Sequence, residues 1–327
     1  MPTSNQKLYD CVGIGLATYD FTLEVLNYPA VNTKHTVTRS AEHGGGPVPT
    51  AVVTMAALGS TTALITTLGD DYIGRSILEE IRSFGVDVSG IRLDPEIKTL
   101  HSHILVGRST GRRTVVQNTG QLPEIRPSQV PEELLGNTRS VTLDSRPSPE
   151  ILSLVRQARD HQARVMLDAG SVHRYTEELL PLVDYPVVSA DFAKEYFGHS
   201  DYEGACQAFI EAGAELSGVT MGAEGSVLCR EKKTVHVPAF QLDVVDTTGA
   251  GDMYHGALLF GILQGWSLRA LGQFASAVAA MGIQRFGSRT LVPDVQEVAM
   301  FLREHGIWEH PVIASQEGRG AGNDAIE

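Results

Sequence analysis

The stretch Asp243–Leu259, DVVDTTGAGDMYHGALL, decides how this chain reads. The strand-like run Gln241–Val245 meets a turn of small residues, Thr247–Gly251. A helix is expected to start near Asp252, with Ala257, Leu258 and Leu259 on its apolar side. Gly249 and Gly251 let the backbone bend and let a ligand come close. Free N–H groups at a helix start point outward and favour negative charge, so the segment reads as a phosphate cradle. The chain has no G-x-x-x-x-G-K-[ST], so this is not a P-loop. Asp252 at the helix start is an N-cap by the ordinary reading. Beside an anion cradle it is equally a carboxylate able to take a proton from an attacking hydroxyl.

Outward from that segment, apolar runs alternate with helical patterns from about Ser60 onward. TTALITTLG, RSVTLD, ARVMLDAG, YPVVSA and LSGVTMG read as strands, and IGRSILEEIRSFG and PEILSLVRQARDHQ as amphipathic helices. That alternation predicts an α/β fold: a central, mostly parallel sheet sandwiched by helices. Two regions break the rhythm, Phe21–Ser40 and Thr99–Asn118. Both are rich in Thr and Val, and the second carries the turn sequence STGRR. They read as antiparallel strands of a small β-sheet, placed as a lid over a cleft. The organisation expected is one domain over 1–314, with lid segments about 18–42 and 95–120, and a disordered polar tail over 315–327.

Composition narrows the classes. The 327 residues are 42% hydrophobic and 20% charged, enough for a large core. Lys and Arg number 26 against 39 Asp and Glu, a net charge of −13 that repels phosphate backbones, so no nucleic-acid partner is expected. Cys11, Cys206 and Cys229 are too few and scattered for a disulfide framework or zinc site. No apolar run is long enough for a membrane span, and MPTSNQKLYD lacks a signal-peptide core, so a cytoplasmic protein is expected. The glycines of GIG near the N-terminus lack the third glycine and the helix of a dinucleotide fold.

DTTGAGD followed by a helix resembles the second signature of the ribokinase (PfkB) family of carbohydrate kinases. The first signature, a Gly-Gly pair opening a helix, is matched by GGGPVPTAVVTMAALG, Gly44–Gly59. GDDYIG, TMGAEGS and FASAVAAMGIQRFGSRTLVPD fall in the family's order, and the resemblance runs from about Val12 to Arg303. It implies a ribokinase-like fold and an ATP-dependent kinase that uses Mg2+ and, in several relatives, K+. It implies Asp252 as the base and the amides of Gly249, Ala250 and Gly251 as an anion hole. Thr220, Gly222 and Gly225 match the nucleotide loop, and Ser276 a position near the adenine. Asp246 and Thr248, with carbonyls of Gly282, Arg285 and Gly287, match a monovalent-cation site. Asp20 matches the sugar-binding aspartate, Gly45 and Gly46 the amides against the sugar. A homodimer joined through the lid sheets is also implied.

Departures from the family bear on the substrate. Thr50 stands where ribokinases have asparagine, and Pro47 replaces another polar position. The Asn-x-x-Glu motif that organises Mg2+ through water is replaced by Ser189-Ala190-Asp191-Phe192, with Glu195 one turn on. GGGP resembles a ketohexokinase-like branch, and within it the sulfofructose kinases, whose substrate is a ketose bearing a sulfonate. There Lys34 and Arg146 match basic contacts to the sulfonate and Gln117 aligns with a third contact. Arg112 and Arg113 near the lid turn read as exposed arginines. His255 reads as a packed or capping histidine. A nucleoside kinase and a non-catalytic sugar-binding protein on the same fold are the competing readings.

Overall fold

The computed structural model describes residues 7–108, 113–118, 122–287, 289 and 292–314. The polar tail, Arg112 and most of the STGRR turn lie outside them.

Thirteen strands are described: β1 Tyr9–Ile14, β2 Thr18–Val25, β3 Arg39–Gly45, β4 Thr62–Gly69, β5 Ile91–Asp94, β6 His101–Gly107, β7 Arg113–Asn118, β8 Thr138–Asp144, β9 Arg164–Ala169, β10 Tyr185–Ser189, β11 Ser217–Thr220, β12 Ser226–Arg230 and β13 Lys233–Val237. Nine form one sheet in the order β13-β12-β11-β10-β9-β8-β1-β4-β5. It is parallel from β5 through β11, and β12 and β13 close one edge antiparallel.

Alternation of side chains explains why these strands read as continuous apolar runs. In β9, Val165 and Leu167 join the core on one face while Met166 joins the other; in β10, Val188 and Val187 divide the same way. A strand buried on both faces needs apolar residues at every position.

The helices are α1 Pro47–Ala57, α2 Tyr72–Ser83, α3 Glu132–Gly136, α4 Pro149–Asp160, α5 Thr176–Leu179, α6 Ala190–Phe197, α7 Tyr202–Glu211, α8 Ala250–Leu263, α9 Leu268–Ile283 and α10 Val295–Glu304. Ser, Asp or Asx-type caps start several of them: Asp71, Ser148, Ser189, Asp201, Ser267 and Asp294 each accept a hydrogen bond from the first turn. One helix layer contributes Leu154, Phe192 and Phe209 to the core on its face; the opposite layer contributes Met55, Leu258 and Phe274. Helix α8 is buried from Met253 to Gly261 and packs against both α1 and α9, so it has no polar face for solvent.

The expected strand over Gln241–Val245 does not form. That segment is irregular, and the amides of Val245 and Asp246 donate to the carbonyl of Ile283 rather than to a sheet neighbour. Its apolar side chains line a cavity instead of a strand face.

The small sheet has the order β3-β2-β6-β7. Two of its pairings are antiparallel as expected, but β2 and β6 run parallel. Both inserted segments leave the large sheet from the carboxyl ends of parallel strands, β1 and β5, so their first strands travel the same way. Residues 26–38 between β2 and β3 form no strand.

Candidate active site

The carboxyl ends of the parallel strands, the start of α8 and the inner end of the small sheet meet in one cleft, where open α/β sheets bind ligands. Gly249 caps α8 at φ 78°, a conformation that glycine adopts without strain. Among the described residues no side chain caps this helix, and of its first-turn amides that of Ala250 makes only a long bond, 3.4 Å, to the Thr247 carbonyl. The helix begins at Ala250, two residues before the expected start. Asp252 therefore sits within the first turn and is not the cap. Burial first, and then the neighbouring Asp168, push its carboxyl up against the opposing pull of His255 and Arg113, to about 7 in all.

On one side of this helix start lies a cavity of about 400 Å3. Thr220, Gly222, Gly225, Ala250, Gly251 and Ser276 all line it, so the residues expected for the nucleotide come together. Phe240, Leu242, Val244, Ala279 and Ile283 supply an apolar wall, as expected of a pocket for a flat ring. Arg113 reaches into it from the small sheet, donating to the carbonyl and the hydroxyl of Thr247 at 3.0 and 2.8 Å. The exposed-arginine reading is incomplete here: Arg113 is exposed, yet it ties the small sheet to the loop ahead of α8.

On the other side Asp20 is buried, 6% exposed. Burial raises its carboxyl, while His43, Arg289, Ser102 and Thr18 lower it. Gly45 lies so close that a Cβ there would stand 2.7 Å from both Asp20 Cγ and Thr18 Oγ1. Gly46 caps α1 at φ 99°, where a side chain would strike the Leu16 carbonyl. Thr50, expected at the sugar, is fully buried inside α1, and its hydroxyl has no partner among the described residues. The side chain of a residue in the first turn of α1 is drawn into the packing against α8.

Arg146 and Gln117 line a smaller cavity of about 140 Å3 with Thr18, Pro47 and Asp144. Lys34 does not line it. It is exposed, in the segment between β2 and β3, so within this chain the two basic residues are not brought together.

Asp246 accepts hydrogen bonds from the amide and hydroxyl of Thr248 at 2.9 and 2.7 Å and from the Gly287 amide at 3.1 Å. These members of the expected cation site do converge, as a clamp between the loop before α8 and the loop after α9. At the degraded magnesium motif, Ser189 caps α6 and Glu195 accepts from the Val172 amide at 3.3 Å. Among the described residues no three side chains converge to hold a metal ion.

Three participants were missed in the sequence. Asp144 ends β8, Asp168 is the last residue but one of β9, and the two are register partners in the parallel pair. Both lie at carboxyl strand ends, a position that marks ligand sites in such sheets. Arg289 donates to the carbonyls of Gly44 and Gly45 at 2.6 and 3.2 Å and pairs with Glu80 at 3.4 Å, bracing the glycine corner between β3 and α1. Nothing local in the sequence announces a contact spanning the chain.

Residues 9–295 match the model of the pfkB family of carbohydrate kinases. The chain is 29% identical to an aminoimidazole riboside kinase of Salmonella typhimurium over 286 residues, covering 80% of this chain and 89% of that one. It is 25% identical to a ribokinase of Haemophilus influenzae over 268 residues, 80% and 87% of the two chains. The solved structure of an Arabidopsis thaliana ribokinase complexed with ribose and ATP has a TM-score of 0.78 at 23% identity, over 90% of this chain and 99% of that one. With the family model spanning nearly the whole chain over this fold, the protein belongs to the pfkB family of carbohydrate kinases.

Proposed function

We propose that the chain transfers the γ-phosphate of ATP to a hydroxyl of a sugar, with Asp252 as the base. The carrying observation is Asp252 itself, in the first turn of α8 beside Ala250 and Gly251 of the nucleotide cavity and within electrostatic reach of Asp20 on the other side. The sugar hydroxyl attacks the γ-phosphorus and its proton passes to Asp252. The new O–P bond forms as the bond to the β-phosphate breaks, and ADP leaves. The amides of Gly249, Ala250 and Gly251 offset the charge that develops on the phosphoryl oxygens. Thr220, Gly222, Gly225 and Ser276 hold the nucleotide; Asp20, Gly45 and Gly46 hold the sugar.

Bound Mg2+ neutralises phosphate charge in such transfers. The scarcity of side-chain ligands here fits an ion that arrives on the triphosphate and keeps its waters. No step is assigned to K+, since Asp246 is already engaged by Thr248 and Gly287.

For the substrate, Arg146 favours a ketose bearing an anionic group such as a sulfonate. Its cavity also holds Gln117, a second donor. The relatives' names, ribokinase and aminoimidazole riboside kinase, favour a neutral pentose or riboside. A homodimer through the small sheet is supported by the apolar groups left exposed on β7, Val115 and Val116, and on the segment joining β2 to β3, Leu26 and Val31. The test of the central reading is Asp252→Asn, assayed by ADP release over a panel of sugars. Nucleotide binding should persist while turnover falls about 100-fold or more, the scale of losing a general base. Turnover within a few-fold of the parent removes Asp252 from the mechanism.

A further inference from the structure

His255 lies on α8 three residues beyond Asp252, hence on the same helix face. Its ring is buried, 3% exposed, and among the described residues its polar contacts are all to oxygen acceptors. Nδ1 is 2.7 Å from the Gly251 carbonyl and 3.3 Å from Asp168 Oδ2. Nε2 is 3.0 Å from the Val187 carbonyl. A neutral imidazole has one N–H and one bare nitrogen, so either tautomer would turn a buried lone pair onto a carbonyl oxygen. Only a ring with both nitrogens protonated satisfies all three contacts.

We propose that His255 is a positioning residue: a buried imidazolium, braced by Gly251, Val187 and Asp168, that keeps the neighbouring Asp252 ionised so that it can accept the sugar's proton. This rests on Asp252 being the base. The bracing is built from three elements, α8 itself, β9 and β10, which fix the ring in place and exclude rotation toward solvent.

The charges around the pair set the balance. On α8 there is Asp252. From β9 comes Asp168 and, one strand further, Asp144 from β8, whose carboxylate repels that of Asp168. β10 offers only the Val187 carbonyl, and α1 carries no charged residue. Arg269 is in the first turn of α9, six residues past the last residue of α8. Arg113 and Asp20 act on Asp252 from the small sheet, and Arg289 faces Asp20 and Asp252 from the loop after α9. Near the base the acids Asp20 and Asp168 push protonation up, and His255 and Arg113 oppose them. Burial also raises the carboxyl of Asp168, and His255 lowers it.

Removing the imidazolium therefore protonates the base at higher pH, and removing Asp168 has the opposite sign. Three measurements test this on the full-length protein. Nitrogen-15 NMR of the histidine rings at pH 7.5 should show His255 protonated on both nitrogens; a neutral ring overturns the proposal without touching the kinase reading. In His255→Gln the acidic limb of the kcat/KM profile should move up by about one pH unit, with KM for ATP unchanged and activity recovering at high pH. In Asp168→Asn the ring keeps the Gly251 and Val187 carbonyls and an amide oxygen as acceptors while the negative charge is gone, so the limb should move down. A uniform loss at every pH in a folded His255→Gln protein assigns the ring to packing alone and overturns the proposal. If His255→Gln does not fold, the NMR signal and the Asp168→Asn limb decide. Full turnover in Asp252→Asn would instead remove the base on which the role depends, leaving the NMR result intact.

Discussion

Replacing Gly45 with alanine should damage sugar binding while sparing the nucleotide. Gly45 ends β3 directly beside Asp20, and its new Cβ would stand 2.7 Å from Asp20 Cγ and 2.7 Å from Thr18 Oγ1. Carbon atoms in contact sit about 3.5–4.0 Å apart, so the carboxylate must retreat by about 1 Å. Asp20 is buried and held near Thr18, Ser102 and His43, so it has no open space in which to pivot freely. A shift of that size takes an acceptor out of hydrogen-bond range of a fixed hydroxyl. One hydrogen bond to a charged group is worth roughly 1.5–3 kcal/mol, about tenfold to a hundredfold in affinity. Steady-state kinetics with ADP detection should show KM for the sugar raised by that factor. KM for ATP should stay within about twofold, because Gly45 does not line the nucleotide cavity. A thermal melt run alongside separates this from unfolding. A sugar KM within about twofold of the parent, in a protein that melts normally, would mean that Asp20 does not hold the substrate where proposed.

Further outcomes follow from the same site. Asp252 is active as the carboxylate and is raised to about 7, so kcat/KM should fall about tenfold per pH unit below that point and level off above it; a profile flat down to pH 5 contradicts the assignment. Arg146→Ala should raise KM about tenfold or more for a sulfonated or phosphorylated ketose and little for fructose. Equal loss for both sugars gives Arg146 to the scaffold. Light scattering across a hundredfold concentration range should report a dimer, and a monomer throughout would leave the exposed strand β7 without its expected cover.

The α/β layering was legible because each strand is short, apolar on both faces and followed by an amphipathic helix: TALITTLG and IGRSILEEIRS show the pattern without help. The nucleotide side was legible for a similar reason, since TTGAGD and the glycines at 222 and 225 are local devices that dictate backbone shape. Gln241–Val245 misled because alternating apolar residues suit a cavity wall as well as a strand. Thr50 misled because a family position was carried over without the burial that α8 imposes on α1. Lys34 was placed by resemblance, and only coordinates separate it from Arg146. Asp168, Arg289 and the acceptors around His255 depend on contacts between distant segments. Asp168 and Val187 meet His255 only when β9 and β10 lie side by side beneath α8.

The clamp on the glycine corner has a consequence for how the protein is made. Gly44 and Gly45 leave the ribosome early, yet the guanidinium that bonds their carbonyls is encoded 245 and 244 residues later. The sugar-binding residues therefore exist in the growing chain long before their geometry does. A polypeptide released short of Arg289 would carry every residue assigned to the substrate, Asp252 included, and still lack the buried cation that braces the corner. The braced form of the corner therefore waits until residue 289 has been made and the two ends of the chain have met.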